Sequence, residues 1–201
     1  MLKKTIWLTV FVLVLVWSAI EPKDRLTWWL EVAPALIALL ILAISRNRFP
    51  LTTLAYILIL IHSVILMVGG HYTYAEVPFF DWLNGQGEAG RNNYDKVGHL
   101  AQGFIPAIIS REILLRFNVV RGRGWLIFLI ICICLGFSAF YELIEWWVAL
   151  LSGESADAFL GTQGYVWDTQ SDMGFALLGA VLALLSLSWI HDRQLQRFLN
   201  P

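Results

Sequence analysis

Six apolar stretches, each close to bilayer length, constrain this chain more than any other feature of it. A hydrocarbon core about 30 Å thick takes about 20 apolar residues as helix. On that ruler the spans read as about 5–20, 27–45, 51–69, 97–117, 124–151 and 171–190. Backbone polar groups cannot stay unpaired in lipid, so segments of this kind are helical. The expected fold is an all-α membrane protein, a single bundle of about six transmembrane helices filling residues 1–201, with outer loops at 70–96 and 152–170. Composition agrees: 14% of residues are charged, against about a quarter in soluble domains. With a net charge of −1 and no basic stripe, no nucleic-acid partner is expected.

Polar punctuation separates the spans. Glu21-Pro22-Lys23-Asp24-Arg25 ends the first and Arg46-Asn47-Arg48-Phe49-Pro50 the second. Lys3 and Lys4 before an apolar run resemble a signal peptide, but Trp17 is too large for the small-residue position before a cut at Ala19. An uncleaved first span is expected. The fourth span is the least apolar, interrupted by Pro106 and followed by Arg111-Glu112, with Arg111 and Arg116 expected to snorkel to the nearer interface. Cys132 and Cys134, two apart in one helix, point in different directions and read as small packing residues.

Charge bias orients the bundle. With the N-terminus inside, the cytoplasmic segments hold Lys3, Lys4, Arg46, Arg48, Arg111, Arg116, Arg121, Arg123, Arg193 and Arg197, whereas the outer segments hold Lys23, Arg25, Arg91 and Lys96. An excess of Lys and Arg marks the cytoplasmic side. Both termini are therefore expected in the cytoplasm of a bacterial inner membrane.

That orientation gathers acids that look scattered in the sequence. Asp95 and His99 open the fourth span, and Asp168 and Asp172 precede or open the sixth. Glu142, about 27 Å along a helix starting at Gly124, comes with Glu145 to the same outer depth. Each pair is three or four residues apart and so shares a helix face. Ionisable groups at a membrane boundary are costly, and their default reading is functional. Helix capping would also account for Asp95 and Asp172. It does not account for two acids within Phe140-Tyr141-Glu142-Leu143-Ile144-Glu145-Trp146-Trp147, where the aromatic belt explains only the tryptophans. Glu31 reads as an outlying member of the set and His62 as structural.

The loop from His71 to Tyr94 is rich in aromatics and is expected to pack on the membrane surface or to cover the acids. In the second loop Gly161 and Gly164 permit tight turns, and Gln163, Trp167 and Gln170 are candidate ligand contacts, as is His71. Gly174, Ala176, Gly179, Ala180 and Ala183 give the sixth span small residues four apart, suited to close packing on the fourth or fifth. There is no phosphate-binding glycine loop, zinc-protease motif, nucleophile elbow or transporter-like inverted repeat.

HYTYAEVPFFDW, RNNYDKVGHLAQGF, FYELIEWW and GTQGYVWDTQSDM, taken in order, resemble the YjdF-like family of bacterial inner-membrane proteins. The resemblance covers essentially the whole chain and implies a multi-span inner-membrane topology. A more distant likeness is to VanZ-like membrane proteins, associated with glycopeptide-antibiotic resistance. Their outline is Asp-Lys-x-x-His at the start of one span, an acid in the next, and an acid followed by glycines in the last. Asp95, Lys96, His99, Glu142 or Glu145, and Asp172 with Gly179 fit that outline, while this chain adds two acids and long outer loops.

Carboxylates with one imidazole suit a hard or borderline divalent cation. Asp95, His99, Glu142, Asp168 and Asp172 are the expected metal ligands, and Glu142, Glu145, Asp172 and His99 the expected acid/base groups. The expected substrate is an envelope lipid or lipid-linked headgroup. Two other classes remain open: a small-molecule or proton-coupled transporter, and a structural protein without catalysis. A transporter needs polar groups deeper than one interface, and on this reading they stop at one end.

Overall fold

The computed structural model describes residues 2–84, 91–152, 163 and 165–199. The described residues are helical apart from short turns. In chain order the helices are α1 (Leu2–Ala19), α2 (Arg25–Ser45), α3 (Thr53–Tyr72), the short α4 (Pro78–Asn84), α5 (Tyr94–Arg116), α6 (Arg123–Ser152) and α7 (Asp168–Leu199). Six of these are the six expected spans, so the chain is an all-α membrane bundle. Gly161 and Gly164 of the second outer loop lie outside the described residues.

Local chemistry sets the helix ends. Asp24 caps α2 by accepting the Thr27 N–H at 2.6 Å, and that bond holds its carboxyl below the usual carboxylate range. Thr52 caps α3 through the Ala55 N–H. Beside Asp24, the Lys23 ammonium pairs with Glu76 at 2.7 Å, an exposed bridge that raises its pKa. Two departures from expectation follow from such signals. Pro78 at the first helical position and Asp81 in the first turn start α4 inside what reads as a loop. α7 begins at Asp168, so Asp168 and Gln170 are helical.

α2, α3, α6 and α7 are long and apolar enough to cross a membrane, and α1 has a shorter apolar stretch, Lys4–Ala19. α5 is not among them by composition, for a reason visible in the packing. It is the central helix, against α3, α6 and α7, so little of it needs to face lipid. α5 and α7 approach so closely that a Cβ on Gly103 would run into the Ala176 carbonyl, and one on Gly179 into the Leu100 carbonyl. The small residues of the sixth span, Ala176, Gly179, Ala180 and Ala183, are buried in that contact. Cys134 is buried and directed at the Gly103 carbonyl, whereas Cys132 faces outward. Apolar surface points the other way: Leu13, Ile44, Phe128, Phe137 and Leu185 are all exposed. Lipid tails are as apolar as leucine, so van der Waals fit and hydrogen bonds hold such a bundle together.

Arg111 and Arg116, near the C-terminal end of α5, are both engaged in side-chain pairs. At the far end of α5, Glu112 is fully buried. It accepts from the Thr52 N–H at 3.0 Å, the Thr52 hydroxyl at 2.7 Å and Arg116 at 2.9 Å. His191 Nε2 lies 3.2 Å from it. Arg111 pairs with Asp192 at 2.5 Å and reaches His191 Nδ1 at 3.1 Å. An arginine N–H can only donate, so His191 Nδ1 accepts and Nε2 carries the proton given to Glu112. Buried polar groups therefore occur at both ends of the bundle, not at one.

Candidate functional site

At its other end α5 carries Asp95 in its first turn and His99 one turn later. His99 Nε2 is the focus: it lies 3.3 Å from Asp95 Oδ1, 3.8 Å from Glu142 Oε1 on α6 and 3.9 Å from Asp172 Oδ2 on α7. Three helices thus bring carboxylates to one nitrogen. Its other nitrogen, Nδ1, is 3.1 Å from Gln102 Oε1. With Nδ1–H donated to that amide oxygen, Nε2 is directed into the carboxylates. Asp95, His99 and Asp172 each offer an atom within 4.8 Å of the others. Opposite ligands of a cation bound at about 2.3 Å are about 4.6 Å apart, so these donors are already near coordinating distance.

Arg91 neutralises part of the set, reaching Asp95 at 3.3 Å and also pairing with Asp168. Asp95 thus bonds Arg91 and His99, and Asp172, a turn into α7, faces His99, which is not how caps behave. Glu142 takes a bond from Thr169. Its Oε1, like Asp172 Oδ1, is buried with no hydrogen-bond partner. Glu145 is buried beside them. Glu31 of α2 belongs to the same group: it is buried, and accepts the Tyr141 hydroxyl at 2.9 Å. Six carboxyl groups (Glu31, Asp95, Glu142, Glu145, Asp168 and Asp172) therefore share a region in which Arg91 pairs with two of them and His99 faces three. Such an arrangement needs protons or a cation to be stable away from water.

A cavity of about 200 Å³ opens beside His99, with Glu31, Tyr74, Asp95, Gln102, Tyr141 and Glu145 in its wall. Tyr74 reaches it through a strained turn. Thr73 and Tyr74 both adopt left-handed backbone, with φ of 58° and 57°, conformations that cost of order 1 kcal/mol or more at non-glycine residues. The Tyr74 ring then lies against Gly69 and Gly98, where any Cβ would collide with it.

The four expected ligand contacts are placed elsewhere. His71, in the last turn of α3, stacks on Trp17 and donates toward the Ser18 carbonyl at 3.1 Å, fixing α1 to α3. Gln163 accepts the Asn92 N–H at 2.9 Å and donates to the Asn92 carbonyl at 3.0 Å, so it tethers the second loop to the start of α5. Trp167 and Gln170 are exposed. None of the four lines the cavity. Arg91, Gln102, Tyr74 and Tyr141 do contribute and escape a reading based on paired acids, although Arg91 lies four residues before Asp95 and Tyr141 adjoins Glu142.

Residues 3–193 match the model of a family described as predicted membrane protein (DUF2238). The chain belongs to that family. It is 52% identical over 190 residues to the inner membrane protein YjdF of Escherichia coli (strain K12), covering 92% of this chain and 89% of that relative. No solved structure matches the chain significantly.

Proposed function

We propose that this is a multi-pass inner-membrane protein whose Asp95 end faces outward and holds a divalent cation with which it acts on the headgroup of an envelope lipid or lipid-linked molecule. The observation that carries the reading is the pair of buried carboxylate oxygens, Glu142 Oε1 and Asp172 Oδ1, left without partners around His99. Asp95, His99 and Asp172 are the ligands, with Glu142 completing the shell and Asp168 one step out, held by Arg91. The Gln102 bond to His99 Nδ1 supports it, because metal-bound imidazoles normally donate their second N–H to an oxygen. Glu145, lining the cavity, is the group free to act as acid or base. The location draws on the inner-membrane relative, and the orientation, with both termini cytoplasmic, on the excess of Arg and Lys at the Glu112 end.

Transport is the competing reading, and the second buried cluster at Glu112 gives it a polar station at the other end. Between the stations, however, α5 and α7 touch backbone to backbone at Gly103–Ala176 and Leu100–Gly179. That packing favours a site at one end over a path through the bundle. Metal content of detergent-purified protein, measured by mass spectrometry beside Asp172→Asn and Glu142→Gln, tests the proposal. Near-stoichiometric divalent metal that is lost in folded variants is the expected result. Metal-free wild type that still binds none on titration would sink it.

A further inference from the structure

The cavity beside His99 is closed where it is charged and open where it is apolar. At its charged end Glu31, Tyr74, Asp95, His99 and Glu145 are each 4–9% exposed. From there it follows α5 from Asp95 to Pro106, about 16 Å at 1.5 Å per residue. Its far wall is made by Pro34 of α2, His62 and Leu66 of α3, and Phe137 of α6. Among its lining residues Phe137 and Phe140 stand out, at 59% and 52% exposed. Phe137 lies near the middle of the 30-residue α6, about 8 Å before Glu142 at 1.5 Å per residue, a depth at which the surroundings are hydrocarbon rather than water, and Phe140 lies one turn nearer to Glu142. α2 and α6 flank this opening, and among the described residues they are not an extensively packed pair. The Tyr141–Glu31 hydrogen bond joins them above it.

We infer that the cavity is entered sideways from the bilayer, between α2 and α6, by the hydrocarbon chain of a single lipid whose headgroup lies at the Asp95–His99 end. This rests on the reading of that end as a headgroup site, and adds the substrate class and the route. The argument for a lipid chain as occupant is the match between wall and surroundings. Pro34, Leu66, Pro106, Phe137 and Phe140 offer an apolar lining that is continuous with the acyl region. A water-soluble ligand would have to pass the buried acids or cross the hydrocarbon. A cavity of about 200 Å³ takes a stretch of chain and leaves the rest of the lipid in the membrane. Breaking the Tyr141–Glu31 bond would widen the mouth, which makes that pair the latch of the opening.

The test uses full-length protein in nanodiscs doped with a phosphatidylethanolamine that carries a diazirine in mid-chain. After illumination, adducts are mapped by mass spectrometry, and metal content is measured on the same sample. Adducts on His62, Leu66 or Gln102 are expected, together with those on the outer surface. Leu66→Trp, which fills the cavity, should abolish them, and Phe137→Ala, which opens the mouth, should increase them and remains informative if the first variant fails to fold. Adducts confined to the outer surface in wild type and Phe137→Ala alike would overturn the inference. So would hydroxyl-radical footprinting from the aqueous phase that oxidises His62. Interior adducts in metal-free protein would keep the lipid route and remove the cation reading; metal without interior adducts would do the reverse.

Discussion

α5 carries a buried charged cluster at each end, and the two are finished differently. At Glu112 the carboxylate meets Thr52, Arg116 and His191, and Arg111 is shared between His191 and Asp192. At His99, three carboxylates face one imidazole at 3.3–3.9 Å and two of their oxygens have no partner. A satisfied buried network fixes helix register. An unsatisfied one is a liability that a protein tolerates where something else is to be bound. On the proposed reading, the contrast separates architecture from function within a single helix.

The comparison breaks most visibly at Glu112. Glu112→Ala leaves the Thr52 N–H, His191 and Arg116 facing an empty position, and removing one member of a buried charge network costs about 3–5 kcal/mol. Loss of folded protein on gel filtration and a large fall in Tm are expected. A variant as stable as wild type would mean the Glu112 network is not structural. Asp172→Asn should act in the opposite direction. It replaces a buried carboxyl that has an unpartnered oxygen by a neutral amide, and the penalty of such an oxygen is about 1–3 kcal/mol. In chelator its Tm should equal or exceed that of wild type. Added divalent cation should raise the Tm of wild type alone, by the equivalent of about 2.7 kcal/mol at a hundredfold excess over Kd. Equal cation responses in the two proteins would place the ion elsewhere.

The legible and illegible parts of the fold differ in what they depend on. Span lengths and the small residues of α7 can be read because lipid and close packing impose them position by position. The shared depth of Asp95, Glu142 and Asp172 could be read because charge bias orients each helix. The Glu112 network could not: it depends on Thr52 and His191, 60 and 79 residues away in sequence, arriving at one point. Arg111 and Arg116 taken singly look like ordinary interfacial arginines. Gln163 was legible as a polar loop residue but not as a backbone tether, since its partner is the main chain of Asn92. Tyr74 enters the cavity wall through a left-handed turn at two non-glycine residues, which composition does not announce.

Two smaller effects sharpen the separation of the ends. Gly103 lies between the clusters, where a methyl group would meet the Ala176 carbonyl. Gly103→Ala should cost about 1–3 kcal/mol by overpacking, read as a lower Tm, with metal content per folded molecule unchanged. A metal loss as large as that of Asp172→Asn would show that α5–α7 spacing and the His99 cluster are one unit.

Asp24 is the control, an acid near the His99 end whose bond is already made. It caps the helix that carries Glu31, and Asp24→Ala should cost about 1 kcal/mol, the usual worth of an N-cap. The sign of its pH dependence follows from its lowered pKa. The folded state binds this proton less readily than the unfolded chain, so the stabilisation is complete above the unfolded value of 3.8 and disappears as pH falls through the lower folded one. The gap in stability between wild type and Asp24→Ala should therefore be constant from neutral pH down to about pH 5 and close in stronger acid. A gap that persists in acid would mean the cap works through the shape of the turn rather than through its charge. Whichever way the gap behaves, metal content should not change. Metal loss in Asp24→Ala would show that the orientation of α2, and with it Glu31, is part of what the His99 cluster needs.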